Sequence, residues 1–77
     1  MENIIGYIQR GIKLNKLFGN QHVAAVVIYF REIPKFKKIT KEDVMKAMQR
    51  MVRAKYKGYE IISSMSGFIP NPNPNSK

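Results

Sequence analysis

The chain contains no cysteine. That excludes a disulfide framework and any cysteine-ligated metal site, so a fold of this size must be held by packing or by oligomerisation. Tryptophan is also absent, and there is one histidine, His22. Only five residues are acidic: Glu2, Glu32, Glu42, Asp43 and Glu60. No group of His, Cys and carboxylates stands at metal-ligand spacing around His22. Glu42 and Asp43 are neighbours on a helical segment, about 100° apart around its axis, and their position is that of capping residues rather than of a paired-carboxylate site. The glycines follow no phosphate-loop spacing, and no serine sits in a nucleophile elbow. These absences assign no catalytic residue, no metal ligand and no cofactor-binding residue. A non-catalytic binding protein is expected.

Long hydrophobic runs are missing as well. The longest, Val23 to Phe30, spans eight residues and is closely followed by Arg31 and Glu32. About 18 to 20 apolar residues are needed to cross a bilayer, so no transmembrane segment is expected. Met1-Glu2-Asn3 is not a basic n-region, which argues against a secretory signal. A soluble, cytoplasmic protein is the expectation.

What the chain does have is positive charge. Fourteen Lys and Arg face five acidic residues, giving a formal +9 over 77 residues. A density of that kind attracts polyanions: nucleic-acid phosphates, anionic lipid or an acidic protein surface. The apolar fraction of 44% is ordinary for a folded domain, so the charge decorates a globule rather than a disordered chain.

Hydrophobic spacing organises the chain into elements. Ile4, Ile5, Ile8 and Ile12, extended by Leu17 and Phe18, indicate a helix over 3–18 with Gly19 as its stop. Gly6 and Gly11 interrupt it. Val23, Val26, Val27, Phe30 and Ile33 suit a second helix over 21–33, with Asn20 as cap and Pro34 as stop. The same stretch is rich in β-formers, and with residues 21–31 as a strand the fold becomes a small α+β sheet. A third helix over 40–57 carries the clearest signals. Thr40 and Asp43 form a variant capping box, Ile39 and Val44 a hydrophobic staple, and Gly58 the stop. Tyr59 to Met65 reads as a strand, making a short hairpin with Phe68-Ile69. Residues 1–69 then form one globular domain, and the proline-rich 70–77 an extended, mobile tail. The expected fold class is mainly α with a short C-terminal β element. Three helices followed by that element resemble, in order alone, a minimal helix-turn-helix or winged-helix domain with the third helix in the recognition position.

On that third helix Lys46, Arg50, Arg53 and Lys57 follow one another by four, three and four residues. At 100° per residue they share an arc of roughly 60°, opposite Val44, Met48 and Met51, with Gln49 on the flank. Such a cationic ridge fits a phosphate backbone, and Arg50, Arg53 and Gln49 could reach base edges in a major groove. The bland alternative is a solvated basic face. Lys35, Lys37 and Lys38 form a second cluster around Phe36, which is either a stacking face or an anchor for the loop. Arg10, Lys13 and Lys16 add charge on the first helix, and Met45 and Tyr56 edge the apolar arc of the third.

The leading expectation is a small nucleic-acid-binding protein, DNA favoured over RNA, acting as a regulator or accessory factor. One alternative is a protein-binding module or inhibitor docking on an acidic partner, with Tyr56, Met45 or Phe36 as hot spots. A peripheral membrane binder is another. A homodimer would enlarge so small a core and offer two such helices to a palindromic site.

Overall fold

The computed structural model describes residues 2–69, and the tail expected at 70–77 lies outside them. Four α-helices follow one another: α1 Glu2–Lys13, α2 Val23–Arg31, α3 Lys41–Arg53 and α4 Tyr59–Ser63. A short 3₁₀ turn, Pro34–Phe36, lies between α2 and α3. The centre of the packing is α3, against which α1, α2 and α4 each rest. Its Val44, Ala47, Met48 and Met51 are fully buried. Ile5 and Ile8 of α1, Val23, Val26, Val27 and Phe30 of α2, and Ile62 of α4 complete the core with Leu17, Ile39, Met65 and Phe68. Among the described residues no charged or polar side chain is buried.

Residues 23–31 are helical, so the strand alternative and its α+β sheet fall away. Val23, Val26, Val27 and Phe30 need one face toward α3, and only helical spacing supplies it. The helix is shorter than 21–33. His22, with extended backbone, precedes it, and Ile33 is extended because Pro34 disfavours helical geometry in the residue before it.

The expected C-terminal β element is absent among the described residues, and with it the winged-helix resemblance. Tyr59–Ser63 is helical instead. Gly58, at φ 93°, turns the chain, and its carbonyl accepts from the amides of Ile61 and Ile62. The Ser63 and Ser64 hydroxyls donate to the carbonyls of Glu60 and Ile61. Buried Ile62, Met65 and Phe68 recur every three residues, a turn-like spacing that an alternating strand would have split between two faces. The β-propensity of Tyr59, Ile61 and Ile62 yields to this packing. One isolated parallel bridge, His22 to Ser66, pins the segment to the start of α2.

Two helices end earlier than their apolar patterns suggest, and by the same device. In α1 the chain turns at Asn15 (φ 59°), with Lys16 N donating to Gly11 O at 2.8 Å and Asn15 N to Ile12 O at 3.0 Å. In α3 it turns at Lys55 (φ 54°), with Tyr56 N donating to Met51 O at 2.9 Å and Lys55 N to Val52 O at 3.2 Å. Both are Schellman ends, which satisfy the last carbonyls with a left-handed residue. Gly19 and Gly58 are therefore not the stops; Gly58 instead precedes α4.

The two glycines of α1 differ in what surrounds them. A Cβ on Gly6 meets nothing within 4 Å, whereas one on Gly11 would lie 2.8 Å from Cδ1 of buried Leu17. Gly6→Ala is expected to raise unfolding free energy by about 1 kcal/mol, the helix-propensity difference alone. Gly11→Ala should lower it by about 1 kcal/mol or more, because overpacking outweighs that gain. Urea denaturation of the two variants checks the opposite signs.

Candidate nucleic-acid interface

The α3 helix owes its orientation to its own chemistry at both ends. Thr40 Oγ1 accepts from Asp43 N and Asp43 Oδ2 accepts from Thr40 N, each at 3.2 Å, so the expected capping box is formed. Ile39 and Val44, the expected staple pair, are both buried. With Val44, Ala47, Met48 and Met51 turned inward, the opposite face must be presented outward, and it carries Lys46, Arg50 and Arg53, all exposed. These three, with Gln49 and Ala54, line a shallow depression of about 480 Å³. Glu42, four residues before Lys46, gives that lysine an acidic neighbour on its own face. Arg50 and Arg53 have no acidic residue three or four positions away. Both stand in the last turn of α3, where the helix dipole also favours a cation.

One member of the expected ridge, Lys57, and its flanking Gln49 sit differently. Because α3 ends at Arg53, Lys57 leaves the helical register and lies against α1, where its carbonyl accepts from Gln9 Nε2 at 3.2 Å. Gln49 is half-buried, and its Nε2 donates to Ile69 O at 3.3 Å, tying the end of the described chain to α3. One of its two Nε2 protons is thus used within the protein.

Lys35, Lys37 and Lys38 are exposed on the connector between α2 and α3. Phe36 faces inward, edge-on to Tyr7 (centroids 5.1 Å apart) and to Phe30 (5.2 Å), so it anchors the loop to the core. Arg31 Nε closes the same loop by donating to Ile39 O at 3.2 Å. The connector lysines precede the N-terminus of α3, whereas Arg53 ends it. A helix rise of 1.5 Å per residue separates the two ends by about 18 Å, with Glu42 and Asp43 near the first. The connector lysines thus adjoin the N-terminal end of α3, Arg50 and Arg53 stand at its other end, and exposed Lys41 and Lys46 lie between them.

A third grouping was not legible in the sequence. Arg10 and Lys13 of α1 face Lys57 across a groove that Gln9, Ile12 and Gly58 also line, with a volume of about 360 Å³. Only the early end of α3 brings Lys57 there. Met45 and Tyr56 are half-buried against the core, and Met48 and Met51 lie wholly within it. His22 is exposed at the start of α2, and no cluster of three or more His, Cys, Asp or Glu capable of holding a metal occurs among the described residues. No helix among them is long and apolar enough to cross a membrane. No protein-family model matches the chain, and no curated protein or solved structure shows significant similarity to it.

Proposed function

We propose that this protein binds nucleic acid through the outer face of α3, with duplex DNA as the favoured partner. The observation that carries the reading is the two-sidedness of α3. One side is entirely core, and the other holds Lys46, Arg50 and Arg53 in a row, with two of the three lacking any acidic neighbour in helical reach. Such a row matches phosphates and releases their counterions on contact. Every other Lys and Arg among residues 2–69 is exposed too, so positive charge faces solvent beyond α3 as well.

Duplex is favoured over single strands because stacking platforms are scarce. Phe18 and His22 are the exposed aromatic residues among the described residues; Tyr7, Tyr29, Phe36, Tyr56 and Tyr59 are half-buried and Phe30 and Phe68 buried. Recognition of unstacked RNA or DNA relies on such rings. With one Gln49 Nε2 proton engaged by Ile69, base readout rests mainly on Arg50 and Arg53. That favours an accessory role with tolerant sequence preference over a specific transcription regulator. The α2–α3 pair keeps the order of a helix-turn-helix, yet residues 32–40 between the helices exceed its turn of about 3–4 residues. A peripheral membrane role is less supported, since the apolar face of α3 is consumed by the core.

Amide chemical-shift mapping with a short random-sequence duplex tests the assignment. The expected footprint centres on residues 46–54 of α3 and extends to the connector lysines. A footprint that leaves α3 untouched would sink it.

A further inference from the structure

The groove between α1 and the α3–α4 junction lies outside the α3 face and has a different character. Its lining is largely carbon, with Ile12 packed so closely on the junction that a Cβ on Gly58 would stand 2.9 Å from Ile12 Cδ1. Its walls are held in register from two directions. Gln9 Nε2 donates to Lys57 O across it, and Gly58 takes a left-handed conformation (φ 93°) that suits glycine. Three cations edge it, Arg10 and Lys13 from one wall and Lys57 from the other, and no acidic residue lines it. Arg10 is also set against the Tyr7 ring, 5.9 Å from its centroid, which restrains its direction.

An occupant complementary to this groove has an apolar body and negative charge on both sides. Its volume is at the lower end for binding sites of small organic groups, enough for an aliphatic side chain and its flanking backbone. No aromatic side chain lines it, so it offers no platform for a nucleobase. A groove lined mainly by carbon, with cations on opposing walls, instead matches an aliphatic residue between carboxylates. We infer that this groove docks an acidic peptide segment of a protein partner, with an aliphatic anchor over Ile12 and flanking carboxylates paired to Lys13, Lys57 and Arg10. The protein then carries two independent acceptors for negative charge: α3 for phosphates and the groove for an acidic protein segment. The groove reading stands whether or not α3 binds nucleic acid.

The test is fluorescence anisotropy of the intact protein with a labelled peptide in which one leucine is flanked by glutamates, at low ionic strength. Saturable binding is expected. It should weaken roughly tenfold or more when the glutamates become glutamines, when the leucine becomes alanine, and in the joint Lys13→Gln, Lys57→Gln variant. Arg50→Ala with Arg53→Ala should weaken it far less than the groove variant, because neither residue lines the groove. Lys13 and Lys57 are exposed, and an unchanged circular dichroism spectrum together with retained binding by Lys13→Arg, Lys57→Arg separates lost contact from lost fold. Absence of saturable binding overturns the proposal. So does indifference to the leucine, which would reduce the contact to bulk charge, and so does dependence on Arg50 and Arg53 in place of the groove lysines. Displacement of the peptide by a single-stranded oligonucleotide that itself requires Lys13 and Lys57 would assign the groove to nucleic acid and also overturn it.

Discussion

Replacing Phe30 by alanine is expected to leave most of the protein unfolded at room temperature. Phe30 is wholly buried, and its ring stands edge-on to Tyr29 at 5.6 Å and to Phe36 at 5.2 Å. Tyr7 continues the series from α1, so one aromatic chain joins α1, the connector and α2. Removing a buried phenylalanine costs about 3–5 kcal/mol, through lost transfer energy and the cavity left behind. Edge-to-face partners add about 0.5–1.5 kcal/mol per pair beyond area burial. A single core of this size supplies on the order of 3–5 kcal/mol in total, so the loss equals the whole margin. Ile28 is the matched control on the same helix, 61% exposed, and Ile28→Ala should move stability by no more than about 0.5 kcal/mol. Far-ultraviolet circular dichroism and urea titration of the two variants decide the matter. A cooperative Phe30→Ala transition near that of wild type would contradict the packing described.

The joint substitution of Lys46, Arg50 and Arg53 by alanine is expected to flatten the salt dependence of duplex binding by about 2–3 in log–log slope. Each phosphate neutralised contributes about 0.9 to that slope, and three exposed cations stand in the row. None of the three is buried, so the expected stability cost is confined to the favourable dipole interaction of Arg50 and Arg53 in the last turn, about 0.3–1 kcal/mol each. The substitution of Lys35, Lys37 and Lys38 removes the same number of charges from the connector. Equal effects from the two triplets would mean that net charge alone governs binding, and α3 would lose its special place.

How far the structure was legible in the sequence depends on where each signal resides. The Thr40–Asp43 box and the Ile39–Val44 pair are local chemistry, within a few residues, and both were readable along with the buried face behind them. The helicity of α2 was readable from the spacing of Val23, Val26, Val27 and Phe30, although its β-formers kept a strand open. Helix ends were less legible. A lysine in the left-handed region at position 55 has no compositional mark, whereas Gly58 advertises a stop it does not provide. From that misplaced end followed the assignment of Lys57 to the α3 ridge, when it belongs beside Arg10 and Lys13. The Gln49–Ile69 contact joins residues twenty positions apart and is set by how the chain returns over α3. In 59–69 composition spoke for strand while Ile62, Met65 and Phe68 were spaced for turns, and tertiary packing decided for the second.

The most direct test of the central claim is the binding of purified, nuclease-treated protein to labelled duplex DNA and to single-stranded RNA across a salt series. Steep loss of duplex affinity with rising salt, a weaker single-strand complex and a slope reduced by the α3 substitutions are the predicted result. Negligible binding to either nucleic acid at low salt would contradict it.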